Sequence, residues 1–154
     1  MKTVGELWER NAWQSPDRIA LVYEDRRLTF RQLTERAKKL ASALYGVGVR
    51  RQDRVSMLAM NTAEWMDYYG ACDMSGFIAA TVNFRLAPPE IAWIIKDSAP
   101  KVLIFEEQYI PTVEAIRAEL TSVQHFVCIG NAPAWAKAYE PLLQSGSPEG
   151  APCR

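Results

Sequence analysis

Histidine and cysteine are scarce in this chain of 154 residues, which contains one histidine and three cysteines. Cys72, Cys128 and Cys153 are far apart and form no CxxC pair, which excludes the usual zinc ligand sets and a secreted disulfide framework. A single histidine, His125, leaves no second imidazole for a metal or for acid–base catalysis. We therefore expect no metal site, and we favour a structural His125 at the start of a strand over a catalytic one.

An excess of charge of one sign is also absent, since 18 Lys and Arg residues balance 18 Asp and Glu residues. This balance provides no basic surface for nucleic acid or for an anionic membrane. No stretch approaches 18 apolar residues, and Glu6, Glu9 and Arg10 stand where a signal peptide needs its apolar core. We expect a cytoplasmic protein with no nucleic-acid partner and no transmembrane segment.

Recognisable phosphate loops are missing as well. No G-x-x-x-x-G-K-[ST] sequence occurs, and Gly46-Val47-Gly48 follows a predicted helix, whereas a phosphate cradle must precede one. We interpret these glycines as a helix stop. Two pairs of adjacent acids, Glu24-Asp25 and Glu106-Glu107, could form a paired-carboxylate site, but solvated turns are the favoured interpretation because no partner is evident that would shift their pKa values.

The residues that are present indicate an α/β fold. Hydrophobic residues make up 49% of the chain, which is typical of one soluble domain. Short apolar runs alternate with amphipathic segments, the pattern of a mostly parallel sheet with flanking helices. The predicted strands cover 55–60, 77–82, 102–105 and 126–129, and the predicted helices cover 30–46, 61–76, 88–98 and, last, 111–121.

Local signals refine these boundaries. Capping boxes are predicted at Thr3 with Glu6, Thr29 with Gln32, and Asn61 with Glu64, because a small polar residue is followed three positions later by an acid or amide. Residues 19–23 and 28–30 flank the polar turn 24–27, which predicts a small N-terminal antiparallel hairpin.

One segment has the character of a ligand site. Asn83-Phe84-Arg85-Leu86 directly follows a predicted parallel strand. Open α/β sheets bind ligands at the carboxyl ends of their strands, and the planar fork of Arg85 suits a phosphate. The alternative is an arginine that binds loop carbonyls or a helix acid. These patterns alone indicate an α/β domain without a complete active site.

Seven segments of the chain form a set of motifs: Pro16–Glu24, Leu28–Leu33, Asp53–Val55, Asn61–Trp65, Gly76–Leu86, Pro89–Ile91 and Asp97–Val102. Together these motifs resemble the adenylate-forming acyl-CoA synthetases, also called AMP-dependent ligases. The resemblance runs in register from Leu7 to about Pro148. The usual glycine of this family is replaced at Gln52, which predicts a strained turn if that glycine serves a positive φ.

This resemblance implies an amino-terminal fragment of an ATP-dependent, AMP-forming acid:CoA ligase of fatty acid metabolism. Such enzymes join a carboxylic acid to ATP with Mg²⁺ and transfer the acyl group to CoA, using a Ser/Thr/Gly-rich phosphate loop, a ribose-binding Asp, a hinge and a late Lys. None of these motifs occurs here, so the fragment is expected to be inactive alone, with no catalytic residues and no cofactor of its own. Its expected partner is the rest of the synthetase or a homologous subunit.

The resemblance also implies a domain division and one site residue. Residues 1–143 correspond to the amino-terminal α/β subdomain, and residues 144–154 to a Gly/Ser/Pro linker that ends before the phosphate loop. Arg85 is implied to contact a phosphate of CoA in the complete enzyme. Two other hypotheses stay open: a non-catalytic interaction or regulatory module, and a small-ligand-binding α/β domain that uses the carboxyl edge of its sheet.

Overall fold

The computed structural model describes residues 3–152, so the last two residues of the predicted linker, Cys153 and Arg154, lie outside the described part. Its residues group into two compact units, one of 3–51, 61–77 and 143–152, and the other of 52–60 and 78–142. The helices are α1 (Val4–Gln14), α2 (Phe30–Gly46), α3 (Glu64–Ser75), α4 (Pro88–Ser98), α5 (Ile110–Ile116) and α6 (Tyr139–Gln144). The strands are β1 (Ile19–Tyr23), β2 (Arg26–Thr29), β3 (Arg54–Leu58), β4 (Ile78–Val82), β5 (Val102–Glu106), β6 (His125–Ile129) and β7 (Lys137–Ala138).

The first unit packs α1, α2 and α3 together with the β1–β2 hairpin. Helix α2 confirms the predicted helix over 30–46 and its capping box. The Gln32 amide N–H donates to Thr29 Oγ1 at 3.2 Å, and the Thr29 amide N–H donates to Gln32 Oε1 at 2.9 Å. Buried residues recur along one face of α2 at helical spacing, which is how an amphipathic helix enters a core. They are Leu33, Ala37, Leu40, Ala41 and Leu44.

Two local predictions for this unit are wrong. Helix α3 begins after Ala63 with no side-chain cap, so Asn61 does not cap it. The Glu64 carboxylate of the expected box instead accepts a hydrogen bond from Arg26 Nη1 at 2.7 Å, which shows a tertiary contact overriding a local one. The hairpin turn is also shorter than predicted. Tyr23 pairs with Arg26, so the loop contains only two residues and its first, Glu24, has a φ of 50°.

An ion pair joins α2 to α3 inside this unit. Arg36 donates from Nε to Asp67 Oδ1 at 3.1 Å and from Nη2 to Oδ2 at 2.8 Å. The Asp67 side chain is 1% exposed and that of Arg36 is 13% exposed. Removing charges from water to this degree costs solvation free energy. The bidentate ion pair between Arg36 and Asp67 offsets that cost.

The second unit contains a parallel sheet of order β4-β3-β5-β6-β7, which confirms the predicted fold class. Helices α4 and α5 bury their apolar residues against one another and against the strands. The cluster includes Leu58, Val82, Ile91, Ile95, Leu103, Phe105, Val113 and Ile116. Because all these strands run in the same direction, their carboxyl ends meet at one edge of the sheet.

Three features of this unit differ from the prediction. Helix α5 stops at Ile116 and tightens into a 3₁₀ turn, Arg117–Glu119, instead of continuing to residue 121. It is not the last helix, because β7 and α6 follow it. The expectation that the strands are covered on both faces holds for β3 and β5 and fails for β4, which stands at the sheet edge with Ile78 45% exposed.

The turn before β3 contains the strain that the sequence predicted. Gln52 has a φ of 68°, in the left-handed region that favours glycine. A residue with a Cβ atom costs about 1–2 kcal/mol in this conformation. The acyl-CoA synthetases, which this chain resembles, usually have glycine at this position, and the positive φ explains why. With Gln52 in its place, this chain loses conformational stability at the turn.

Replacing Gln52 by glycine is expected to raise the free energy of unfolding by about 0.5–1 kcal/mol, because relief of the left-handed strain exceeds the entropy that glycine adds to the unfolded chain. Urea denaturation followed by circular dichroism measures the change. Gln124→Gly is the matched control, since Gln124 is an exposed loop residue without a positive φ and should lose stability. Equal destabilisation of both variants would contradict the strain at residue 52.

Candidate functional site

The carboxyl edge of the parallel sheet is the candidate site. It brings together the segment after β4, the two acids at the end of β5 and the loop after β6. All of these belong to the second unit. The residues concerned are Asn83, Phe84 and Arg85, then Glu106 and Glu107, then Gly130 and Asn131.

Arg85 is presented to solvent by a short polar turn. Asn83 Oδ1 accepts a hydrogen bond from the Arg85 amide N–H at 3.0 Å, and Asn83 O accepts one from the Leu86 amide N–H at 3.3 Å. The Arg85 guanidinium carbon lies 5.5 Å from the centroid of the Phe84 ring. Among the described residues its guanidinium binds no carbonyl and no carboxylate, so its donors face outward.

Phe84, within this turn, packs against Tyr109. The rings of Phe84 and Tyr109 lie 6.5 Å apart, centroid to centroid, in a tilted arrangement. Burial, and secondarily the charge of Glu106, raises the pKa of Tyr109 above its usual value. The phenol therefore stays protonated at neutral pH and serves as a packing group, not as a base.

The two adjacent acids, Glu106 and Glu107, each accept a hydrogen bond from the main chain of a neighbouring loop. The Met60 amide N–H donates to Glu106 Oε1, which also accepts from Gln108 Nε2 at 3.2 Å. Glu107 Oε2 accepts from the Asn131 amide N–H at 2.7 Å. The sequence analysis favoured a solvated turn for this pair. Glu107 is indeed exposed, yet each carboxylate holds a main-chain amide from the end of another strand.

Gly130 is required by this arrangement. It has a φ of 103°, and a Cβ atom built on it would lie 2.5 Å from Glu107 Oε2. Cys128 lies two positions earlier, where burial, and secondarily Glu107, raises the pKa of its thiol to about 11. A thiol with this pKa is neutral at physiological pH, which makes Cys128 a packing residue and a poor nucleophile.

An apolar groove beside Arg85 was missed by the sequence analysis. Leu86, Pro89, Glu90, Trp93 and Ile94 line a space of about 420 Å³, and Trp93 is 66% exposed. The signal was available: Ile91 and Ile95 mark the buried face of α4, and residue 93 falls on the opposite face of the helix.

The other residues singled out in the sequence lie elsewhere. His125 is a half-buried first residue of β6, opposite Val102. Helix α2 ends at Gly46, and Gly48 has a φ of 107°, which confirms the helix stop. Within residues 3–152, no three metal-binding side chains cluster, and none of the helices is both long and apolar enough to cross a membrane.

Comparison with known proteins identifies the family. A model of the AMP-binding enzyme family matches residues 8–151. The long-chain-fatty-acid–CoA ligase of Thermus thermophilus is 36% identical over 148 residues, covering 88% of this chain and 27% of that protein. The anthranilate CoA ligase AuaEII, solved in complex with anthranoyl-AMP, is 31% identical with a TM-score of 0.92, over 99% of this chain and 30% of that one.

A solved N-terminal domain of FACL13 from Mycobacterium tuberculosis also matches, with a TM-score of 0.84 and 29% identity, over 100% of this chain and 39% of that one. The chain belongs to the AMP-binding enzyme family and matches the amino-terminal part of its acid:CoA ligases. It spans about a quarter to two fifths of the length of these relatives. The resemblance seen in the motifs is thereby confirmed.

Proposed function

We propose that this chain supplies the amino-terminal subdomain of an ATP-dependent, AMP-forming acid:CoA ligase, with residues 144–154 serving as the linker to the remainder. The carrying observation is the family match over residues 8–151, which includes the polar turn at the carboxyl edge of the sheet. The proposed substrate is a carboxylic acid of the fatty-acid class, as named for the Thermus relative. Its proposed partner is the rest of the ligase or a homologous subunit.

The chain is proposed to be inactive without that partner. Attack of a carboxylate on ATP requires cations or N–H donors placed around the phosphates to stabilise developing negative charge. The carboxyl edge described here presents two carboxylates, Glu106 and Glu107, against one free guanidinium. ATP, Mg²⁺ and CoA therefore belong to the complete enzyme in this proposal. Acyl-AMP formation by the purified chain would contradict it.

Arg85 is proposed to contact a phosphate of CoA. Its main chain is fixed by Asn83, while its guanidinium is solvent-exposed and can pair with a phosphate through two parallel N–H donors. A lysine would keep the charge but lose the fork. This role rests on position and chemistry together, since the same turn lies where open α/β sheets bind their ligands.

A cytoplasmic location is part of the same proposal. Cys72 and Cys128 are both buried free thiols, and burial, with a smaller contribution from Asp73, raises the pKa of the Cys72 thiol to about 12. Unpaired cysteines of this kind are common in a reducing compartment.

Changing Arg85 to alanine is expected to raise the KM for CoA about tenfold, because one charge-assisted contact is lost, with little change in kcat. The measurement uses a chimera in which residues 3–152 replace the matching segment of the Thermus ligase. Arg27→Ala, an exposed arginine of the hairpin, is the control and should leave the KM unchanged. If the KM for CoA is unchanged in Arg85→Ala, the proposed contact between Arg85 and CoA is wrong. Activity of the chimera would still support the proposal that the chain is the amino-terminal subdomain of a ligase.

A further inference from the structure

The loop that carries Arg85 connects β4 to α4 and is closed at its first end by Asn83. The Asn83 side chain accepts from the Arg85 amide N–H at 3.0 Å, and its main-chain oxygen accepts from the Leu86 amide N–H at 3.3 Å. An asparagine that binds the amide two positions later forms an Asx turn, a local bond that fixes the backbone without a partner strand. One exposed side chain therefore orders the first half of the loop.

Glu90 orders the other end of the loop. Its Oε2 accepts from the Ala87 amide N–H at 2.8 Å, while the Ala87 oxygen accepts from the amides of Glu90 and Ile91, each at 3.0 Å. Pro88 and Pro89 form the first turn of α4, where their fixed φ angles suit the helix and their lack of an N–H costs nothing. The main chain is therefore fixed where the loop enters the helix.

Phe84 attaches the middle of the loop to the core. Its half-buried ring packs against the core cluster of the second unit. The Arg85 guanidinium carbon, 5.5 Å from the centroid of this ring, is within the range of a cation–π contact. Asn83 and Glu90 are exposed, so replacing either one can loosen the loop without removing apolar surface from the core.

We propose that Asn83 and Glu90 are positioning residues. They keep the loop 83–87 in one backbone conformation in the absence of ligand, and thereby place the Arg85 guanidinium for a phosphate of CoA. A site that is ordered beforehand loses less conformational entropy when its ligand binds. This inference rests on the proposed contact between Arg85 and CoA, and it adds two residues that act through Arg85 and need no contact with the ligand.

The order of the loop is measured on the chain itself by ¹⁵N relaxation. The Arg85 and Ala87 amides are expected to have order parameters of about 0.85, as in rigid backbone. The value for Arg85 should fall below about 0.6 in Asn83→Ala, and the value for Ala87 should do so in Glu90→Ala. Asn83→Ser and Glu90→Gln should retain the order, because each keeps an acceptor oxygen and adds no negative charge beside the proposed phosphate.

The consequence for binding is measured in the chimera with the Thermus ligase. Asn83→Ala and Glu90→Ala are each expected to raise the KM for CoA about fivefold with little change in kcat, because ordering the loop then opposes binding. This is less than the effect of Arg85→Ala, since a loosened loop still carries the guanidinium. In the Arg85→Ala background neither substitution should raise the KM further, because residues that act through Arg85 are not additive with it. Asn83→Ser and Glu90→Gln should stay within about twofold of the unsubstituted chimera.

Gln32→Ala is the matched control. Gln32 Oε1 accepts from the Thr29 amide N–H at 2.9 Å, so it makes the same kind of bond as Glu90, at the start of α2 in the first unit. Its loss should weaken a helix start to a similar degree and leave the KM for CoA unchanged.

Several results would overturn the positioning role. It is wrong if the Arg85 amide keeps its order in Asn83→Ala and the Ala87 amide keeps its order in Glu90→Ala. It is equally wrong if both KM effects persist in the Arg85→Ala background, or if Gln32→Ala raises the KM as much. If Arg85→Ala raises the KM and the other two alanine variants do not, the contact with CoA stands and only the positioning role fails. If Arg85→Ala leaves the KM unchanged, the proposed contact fails and the positioning role fails with it.

Discussion

Asp67→Ala is expected to lower the free energy of unfolding by about 3–5 kcal/mol, the usual effect of leaving one charge of a buried pair without its partner. The Asp67 carboxylate accepts from two guanidinium nitrogens of Arg36 and is almost fully withdrawn from water. After the substitution, Arg36 keeps its charge in a poorly hydrated place between α2 and α3. Urea denaturation of the chain, followed by circular dichroism, measures the loss.

Asp17→Ala provides the matched control. Asp17 also pairs with an arginine, Arg31, at 2.9 Å, but its side chain is 84% exposed, so the loss should be less than about 1 kcal/mol. Replacing both members of the buried pair, as Arg36→Met with Asp67→Leu, should recover most of the stability, because no unpaired charge remains. Similar losses for Asp67→Ala and Asp17→Ala would show that burial does not govern the strength of the α2–α3 pair.

Phe105→Ala is expected to cost about 3–5 kcal/mol, because it removes a fully buried aromatic ring from the core of the second unit. The Phe105 ring stacks on Trp135 with centroids 5.5 Å apart, and Arg117 covers Trp135 at 4.8 Å. The cavity would form in the core cluster, next to the Trp135 ring. Thermal and urea denaturation measure the loss of stability.

Trp93→Ala is the control for this substitution. It removes an even larger ring, but one that is mostly exposed, so the change should stay within about 0.5 kcal/mol. A loss of several kcal/mol for Trp93→Ala would mean that the groove on α4 is part of the core. A small loss for Phe105→Ala would mean that the core collapses to fill the space.

Local signals predicted much of the fold. The Thr29–Gln32 box and the apolar spacing of α2 determined that helix, because capping and amphipathic burial act over one or two turns. The continuous apolar runs predicted a parallel sheet, and its order was left to the tertiary structure. The strain at Gln52 was predicted by comparison with a family pattern, since the sequence alone carries no φ value.

Other features could not be read locally. Asn61 and Glu64 have the spacing of a capping box, yet Arg26, distant in sequence, takes the carboxylate. The described part of the predicted linker contacts α2, where the Ser147 amide N–H donates to Ser42 Oγ at 2.9 Å. A Cβ on Gly146 would lie 1.9 Å from Lys39 O, so glycine permits this close approach. Neither contact can be predicted from a short sequence segment, because each joins residues that are far apart in the sequence.

Some features of the candidate site could also be predicted from the sequence, whereas others depend on tertiary contacts. The sequence by itself determined the position of Arg85 after a strand and, through its motifs, the family of acid:CoA ligases. Only the tertiary structure decided that Glu106 and Glu107 hold amides from other strands, that Trp93 lines a groove beside Arg85, and that β4 is an edge. Caps and periodic burial are set by neighbours along the chain, whereas these contacts join residues that only folding brings together.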